Sequence, residues 1–407
     1  SNNVAVGKDA LEEMNPSSAV DMYNTAVGFS AGQKVTTGTQ NTLVGGLAGD
    51  ALTDADKNVA VGYSALSSDT LGSKSTAVGD SALGSQNFTT ATDSENTAVG
   101  FEAGARVTTG VSNTFIGALA GDHQTTASNN VAVGTNALTD NTTGAANTAI
   151  GRASLFENTT GASNTAVGMN SMLDNTEGSQ NTAVGESALS NITTASDNTA
   201  VGFQSLLTDT LGSRSVAIGK GALRVQNLTT AANAYNVGVG YDAGVAVTTG
   251  IQNTLIGALA GDALTDADFN TAVGQDALHT DTLGSRSVAI GRRALYTQNF
   301  TTATDNYNIG VGFNAGYSIT TGVNNVLIGG LAGDALTDAD FNVALGYAAL
   351  SSDTLGSKSV AIGVQALVSQ NFTGSSDVFN VAIGHQAGLA VTTGVQNTLI
   401  GSLAGDA

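Results

Sequence analysis

Short alternations of apolar and polar positions recur along the whole chain. Each starts with Asn or Ser, continues with Thr, Val or Ile, a residue that is usually Ala, and an aliphatic residue, and ends in Gly, as in Asn24-Thr-Ala-Val-Gly28. Apolar or β-branched residues on either side of a small residue are typical of a short strand. The pattern occurs 23 times, and 17 of the 22 intervals between its glycines are 17 residues, whereas five are 21.

A repeat of fixed length is one supersecondary unit that buries its apolar face against its neighbours. The repeat is too short for a strand and a helix, and the glycine is followed by Ala or Ser three residues later and then by a turn. We therefore predict an all-β fold, a parallel β-roll or β-solenoid of about 23 coils. Because no segment longer than one repeat escapes the pattern, residues 1–407 are expected to form a single continuous shaft.

The residue that opens each repeat is Asn in 19 copies and Ser in the other four. Identical amides stacked one strand spacing apart can hydrogen-bond to each other and to the turn backbone. This predicts a structural ladder along the axis, whose members include Asn24, Asn41, Asn58, Asn96, Asn113, Asn253 and Asn270.

Four coil types follow one another and form a 72-residue super-repeat, interrupted once by plainer spacer coils at about 130–197. The fourth type carries four extra residues around Gln-Asn-Phe-Thr, which place an aromatic residue on an inserted loop at Phe88, Phe300 and Phe372. These residues either pack over a coil edge or between protomers, or they form ligand-facing loops, because loops on rigid scaffolds commonly carry recognition. The residues alone leave both interpretations open.

The second coil type has a large residue at the centre of its strand (Leu43, Phe115, Leu255, Leu327 and Leu399) and a Leu two residues after the glycine, such as Leu47. If each coil advances about 4.8 Å, these pairs recur roughly every 19 Å along the rod. We expect them to form exposed apolar belts that need cover, and hence expect self-association around the fibre axis.

The acidic composition restricts the partners. The formal net charge is −20, and only 13 Lys and Arg residues are present, so the phosphate contacts of a nucleic-acid partner are not expected, nor is binding to an anionic membrane. The absence of cysteine leaves the redox compartment open. The chain starts and stops within the repeat, and we infer that it is a window from a longer fibre.

Motifs that resemble catalytic or metal sites are explained by the repeat. Gly28-Phe29-Ser30-Ala31-Gly32 fits G-x-S-x-G, but equivalent coils replace Ser30 and no helix is expected to follow. The three histidines are far apart in sequence and are expected at the surface. We therefore expect no enzymatic activity and no cofactor; the alternative is calcium bound at acidic turns of the Asp54 and Asp56 type, since alternating oxygen ligands suit this ion.

Ser215-Val-Ala-Ile-Gly-Lys-Gly-Ala222 and Ser359-Val-Ala-Ile-Gly-Val-Gln-Ala366 resemble the head repeats of YadA-like trimeric autotransporter adhesins. The Asn-Thr-Ala-Val-Gly form is also similar to repeats in bacteriophage tail fibres and other surface fibre proteins. The resemblance implies left-handed parallel β-rolls, three around one axis. The 17-residue coil is longer than the typical adhesin head repeat.

These observations favour a non-enzymatic extracellular fibre shaft, a homotrimer that extends a cell-surface appendage or a virion and adheres to a host-surface ligand. A bacteriophage tail-fibre shaft for host recognition is one alternative. A second is an ice-binding solenoid, because Thr148, Thr165, Thr182 and Thr199 would align in a rank. A third, a glycan-cleaving β-helix, requires paired carboxylates that break the repeat, and the sequence contains no such break.

Overall fold

The computed structural model describes residues 2–16 and 20–406. Within these ranges every regular element is a short strand, and no helix is present. The fold is a parallel β-solenoid of about 23 coils with the 17-residue spacing of the sequence pattern, which confirms the predicted fold class. The strands divide between two compact units, Ser1–Asn198 and Thr199–Ala407, and each unit is described separately below.

The N-terminal unit contains eleven three-residue strands and two two-residue strands among its described residues. In chain order they are β1 (Val4–Val6), β2 (Thr25–Val27), β3 (Thr42–Val44), β4 (Val59–Val61), β5 (Gly72–Ser73), β6 (Thr76–Val78), β7 (Thr92–Asp93), β8 (Thr97–Val99), β9 (Thr114–Ile116), β10 (Val131–Val133), β11 (Thr148–Ile150), β12 (Thr165–Val167) and β13 (Thr182–Val184). The unit ends where the spacer coils end.

The C-terminal unit contains twelve three-residue strands and six two-residue strands in its described part. They are β14 (Thr199–Val201), β15 (Gly212–Ser213), β16 (Val216–Ile218), β17 (Ala232–Asn233), β18 (Val237–Val239), β19 (Thr254–Ile256), β20 (Thr271–Val273), β21 (Gly284–Ser285), β22 (Val288–Ile290), β23 (Thr304–Asp305), β24 (Ile309–Val311), β25 (Val326–Ile328), β26 (Val343–Leu345), β27 (Gly356–Ser357), β28 (Val360–Ile362), β29 (Ser376–Asp377), β30 (Val381–Ile383) and β31 (Thr398–Ile400).

Within each unit the three-residue strands stack in parallel and in register, one per coil. Ala149 of β11 lies opposite Ala166 of β12, and Thr148 lies opposite Thr165. The backbone N–H of Gly168 donates to the carbonyl of Ile150 at 2.8 Å, one coil earlier. This register places identical positions of successive coils above one another, so each repeat position forms a column along the solenoid.

The repeat glycine is required by both its backbone and its neighbour. Its φ lies between 129° and 146° in all 23 copies. A Cβ built on Gly168 would lie 2.5 Å from the carbonyl oxygen of Gly185 in the next coil. Only glycine adopts this conformation readily and allows this approach, which explains why the pattern always ends in glycine.

The middle residue of each strand points into the solenoid, and this orientation overturns the prediction of exposed apolar belts. Leu43, Phe115, Leu255 and Leu327 are fully buried, and Leu399 in the final coil is half-buried. Each large residue fills space left by two glycines; Cβ atoms built on Gly104 and Gly121 would lie 2.7 and 2.4 Å from the Phe115 ring. The prediction of exposed belts was wrong because each large residue fills the space that a glycine of its own coil and a glycine of the preceding coil leave open. Leu47, Leu119, Leu259 and Leu331 are half-buried, and Leu403 in the final coil is exposed.

Non-glycine residues with left-handed backbone recur in every coil, a feature that the sequence analysis missed. The fourth residue after the repeat glycine is either Gly or a residue such as Leu66 (φ 53°) or Leu138 (φ 54°), and both leucines are fully buried. A β-unbranched leucine in this region is uncommon. The left-handed backbone is strained, but it directs a large side chain into the interior of a coil that otherwise contains mostly small residues.

Candidate functional site

The buried Asn column forms a ladder in each unit, interrupted only where Ser75, Ser215, Ser287 or Ser359 takes the place of Asn. Asn24 Oδ1 accepts from the backbone N–H of Asn41 at 2.8 Å, and Asn41 Oδ1 accepts from that of Asn58 at 2.9 Å. The Asn41 side-chain amide donates to the carbonyl of Ala55 at 2.7 Å. The same bonds link Asn96 to Asn113 and Asn253 to Asn270. Every polar group of these amides serves the coil stack, so the ladder is structural.

The spacer coils contain a second buried amide ladder that the sequence analysis did not predict. Asn141 Nδ2 donates to Gln124 Oε1 at 3.1 Å, Asn158 Nδ2 to Asn141 Oδ1 at 2.8 Å, and Asn175 Nδ2 to Asn158 Oδ1 at 2.7 Å. All four side chains are fully buried. The spacing of 17 residues between the Asn-Thr-Thr-Gly segments was the signal for this ladder. It ends at Asn175, whose Oδ1 has no partner within the described residues.

Where the super-repeat places an insertion, the same interior column carries a buried Asp and Gln pair. Gln298 Nε2 donates to Asp281 Oδ2 at 2.5 Å and to Ser287 Oγ at 2.8 Å, and Asn308 Nδ2 donates to Gln298 Oε1 at 2.9 Å. Burial raises the pKa of Asp281, although hydrogen bonds from Gln298 and backbone N–H groups oppose the rise. This network ties the side chain that opens the insertion coil to the ladder of the next coil.

The inserted phenylalanines Phe88 and Phe300 point into the protein. Phe88 is 6% exposed and Phe300 is 5% exposed, whereas Phe372 is half-buried. The Phe88 backbone N–H donates to Asp69 Oδ1 at 3.0 Å, and its ring packs where a Cβ of Gly72 would lie. Packing over a coil edge thus accounts for Phe88 and Phe300, and the exposed residues next to Phe88 are Asn87, Thr89, Thr90 and Ala91.

The acidic turns use carboxylate oxygens to bind the neighbouring coil. Thr37 Oγ1 donates to Asp54 Oδ1, and Asp56 Oδ1 accepts from the backbone N–H of Thr39 at 2.6 Å and from its hydroxyl at 2.8 Å. The described residues contain no cluster of three or more His, Cys, Asp or Glu side chains that could hold a metal ion. The turns therefore have a structural use that does not involve calcium.

Two of the three histidines pair with an aspartate one coil away. His123 Nδ1 lies 2.7 Å from Asp140 Oδ1, and His279 Nδ1 lies 2.7 Å from Asp262 Oδ1. His385 is exposed. Ser30, which gave the G-x-S-x-G match, is only 3% exposed and lies at a left-handed position of the turn.

The outward face of the strand stack carries an apolar column that repeats in every coil. The third strand residue is Val, Ile or Leu in every coil; Ile116 is 42% exposed, Ile150 is 40% exposed and Ile290 is 39% exposed. The first strand residue, Thr, Val or Ile, is half-buried in most coils. We call these two columns the sheet face.

Exposed aromatic residues occur immediately beyond both ends of the strands. Phe29, Tyr63 and Tyr347 follow the repeat glycine and are more than half exposed. Several lie next to a cation in the adjacent coil; Lys220 Nζ is 5.4 Å from the Tyr241 ring centre, and Arg286 Cζ is 4.9 Å from that of Phe269. Such contacts are worth about 0.5–1 kcal/mol at exposed sites, so they reinforce coil stacking while leaving the outer faces of the rings accessible.

No protein-family model matches this chain, and no curated protein matches it significantly. Within the described ranges, no helical segment has the length and hydropathy of a membrane span.

Proposed function

We propose that this chain is the shaft of a non-enzymatic extracellular fibre that assembles through its sheet face, with a homotrimer as the expected assembly. The observation that carries the proposal is the column of outward-facing Val, Ile and Leu side chains, some exposed and the others half-buried, that continues through every coil of each unit. A fibre of this kind would extend a cell-surface appendage or a virion, as the resemblance to adhesin heads and tail fibres suggests.

The size of the sheet face supports burial against another copy. Eleven or twelve stacked strands, each about 4.8 Å apart, and two outward side-chain columns give a strip of roughly 50 Å by 10 Å in each unit. A strip of about 500 Å², in which one column is wholly aliphatic and the other consists of Thr, Val and Ile, is comparable in size with the largest apolar patch that a typical monomer exposes, about 300–600 Å². Regular repetition of the same residues also suits a symmetric interface between identical chains.

The proposal predicts a native mass of about three chains, each of 40.3 kDa. Light scattering measures this mass, and we expect it to survive a calcium chelator because the Asp54 and Asp56 oxygens already bind neighbouring threonines. Ile256→Lys with Ile290→Lys places two charges on the sheet face and should yield single chains. Val395→Lys is the matched control, since Val395 is exposed outside the strands and should leave the assembly intact.

A single-chain mass for the native protein would refute self-association. Dissociation on chelation would instead favour calcium at the acidic turns. Loss of assembly in Val395→Lys as well would show that added charge, and not the sheet face, is responsible.

Ice binding is a second candidate because a threonine rank exists within the N-terminal unit. Thr148 lies opposite Thr165, and Thr165 lies opposite Thr182, on the outward side of neighbouring strands. A regular threonine array on a rigid sheet could order water. A thermal-hysteresis assay decides this point: activity that falls in Thr165→Val would support ice binding, and no activity in the native protein would eliminate it.

A further inference from the structure

A polar groove in the N-terminal unit is lined by side chains that the coil stack does not fully use. It is open to solvent, has a volume of about 300 Å³, and lies on the turns that follow β4, β6, β8 and β9. The small residues Ser67, Gly84 and Ala105 line it, together with Ser85, Glu102 and Asp122. Arg106 and Ser64 also contribute to the lining. A volume near the lower limit of ligand pockets suits a small ligand.

The groove exists because one column of the repeat carries only small residues there. Ser67, Gly84 and Ala105 each lie five residues after a repeat glycine. In the third super-repeat the same positions hold His279, Tyr296 and Tyr317, whose rings stack with centres 4.9 and 5.0 Å apart. The same scaffold is thus filled by three rings in one place and left open in the other.

The polar groups of the groove offer both donors and acceptors. Glu102 and Arg106 are four residues apart, and no carboxylate lies within ion-pair distance of Arg106 in the described part of the chain. Asp122 is 7% exposed, and its Oδ2 lies 3.4 Å from His123 Nε2. A carboxylate can only accept hydrogen bonds, a guanidinium can only donate them, and a serine hydroxyl does both.

Charge narrows the class of ligand. Two carboxylates and one guanidinium make the groove weakly negative, within a chain of net charge −20, and this disfavours an anion. Arg106 disfavours a cation. A neutral ring that carries several hydroxyl groups matches the mixture of donors and acceptors without a charge penalty.

We propose that the groove lined by Ser64, Ser85, Glu102, Arg106 and Asp122 binds a neutral monosaccharide unit. Glu102 and Asp122 accept hydrogen bonds from sugar hydroxyls, Arg106 donates to sugar oxygens, and Gly84 leaves room for the ring. The proposal adds a ligand class to the adhesive role of the proposed fibre, but it does not depend on self-association because the groove lies outside the sheet face.

Saturation-transfer NMR on the full chain tests whether the groove binds a monosaccharide. The probes are the methyl pyranosides of glucose, galactose, mannose and N-acetylglucosamine. We expect transfer from at least one of them, lost in Gly84→Tyr and weakened about tenfold in affinity in Glu102→Gln. Tyrosine should fit, since Tyr296 occupies the equivalent position and the nearest atom to a Gly84 Cβ is the Ser81 carbonyl oxygen at 3.1 Å.

Circular dichroism of each variant checks folding, and Tyr296→Gly, which leaves the groove unchanged, serves as a second control that should bind normally. Absence of transfer from all four probes, or transfer that persists in Gly84→Tyr, would overturn the proposal. Light scattering on Gly84→Tyr separates the two ideas, because its mass reports on the fibre whatever the sugar result.

Discussion

A carbonyl oxygen of the next coil restricts the repeat glycine. In the C-terminal unit, Gly257 has φ 134°, and a Cβ built on it would lie 2.5 Å from the carbonyl oxygen of Gly274. That separation is too short for a methyl group, and the atom it meets belongs to the hydrogen-bonded strand stack. Substitution must therefore displace backbone in two coils at once.

We predict that Gly257→Ala destabilises its unit by about 2 kcal/mol or more, from backbone strain and the displaced neighbour. Gly374→Ala is the control, because Gly374 has ordinary φ and no atom within 4 Å of its built Cβ. Thermal unfolding followed by circular dichroism compares the two. Equal midpoints would show that the coils can separate at little cost.

A second prediction concerns the inward strand residue. Phe115→Ala should cost about 3–5 kcal/mol, since the fully buried ring fills the space beside Gly104 and Gly121. Phe115→Leu should cost less than about 1.5 kcal/mol, because the equivalent position holds Leu43, which is also buried. Denaturant unfolding measures both, and a similar loss in the two variants would contradict the role of cavity volume.

At this scale the sequence indicated much of the structure. The β-branched flanks, the glycine and the Asn column each follow from local patterns that repeat. The direction of Leu43 did not, because the glycines that accommodate it lie in its own coil and in the preceding one. The left-handed backbone of Leu66 could not be predicted either, because leucine rarely adopts this conformation.

Between coils, stability comes from columns of hydrogen-bonded side chains in which every member depends on the next. In the spacer coils, Asn158 both donates to Asn141 Oδ1 and accepts from Asn175. The type-one coils show an apolar alternative at the same position, where Val107 is fully buried. An apolar residue within a column of amides should be destabilising, because the amides of the neighbouring coils lose their hydrogen-bond partners.

Asn158→Val should therefore destabilise the N-terminal unit by about 1–3 kcal/mol, because it leaves Asn141 Oδ1 buried without a donor. Replacing Asn141, Asn158 and Asn175 together by Val should cost less than the single change. The turn carbonyls of Gly144, Gly161 and Gly178 keep the amides of Asn130, Asn147 and Asn164 as donors. Chemical unfolding provides the comparison, and a triple variant that is less stable than the single one would refute this interpretation.

The spacer ladder shows how far sequence reasoning reaches between coils. Asn141 and Asn158 stand 17 residues apart in identical Asn-Thr-Thr-Gly segments, so their stacking could be foreseen. Their inward orientation could not, because it depends on the left-handed turn that precedes them. The polar groove could not be predicted for the same reason. Its small residues form one column only when the coils are aligned and the orientation of the turn side chains is known.

Across the whole molecule, burial raises the pKa of several aspartate side chains. Desolvation raises the pKa of Asp209 and Asp281, both fully buried, and also that of Asp50, Asp174, Asp262, Asp268 and Asp334. Among the described residues, every carboxyl with a shifted pKa moves the same way. The folded chain thus holds these protons more tightly than the unfolded chain does, and the number of bound protons decreases on unfolding.

We therefore predict that the unfolding temperature increases as the pH falls from 7 towards about 4.5. A group whose pKa is raised on folding contributes stability that is fully present below its unfolded value, near 3.8, and is lost as the pH rises through the folded value. Protonation also reduces repulsion in a chain of net charge −20, so the scan should be made at about 0.5 M salt, where exposed charges are screened.

Asp209→Asn with Asp281→Asn should flatten this pH dependence whatever its effect on absolute stability, because each substitution removes a buried titrating group. An unfolding temperature that falls on acidification would mean that the buried networks stabilise the ionised carboxylates more than burial penalises them.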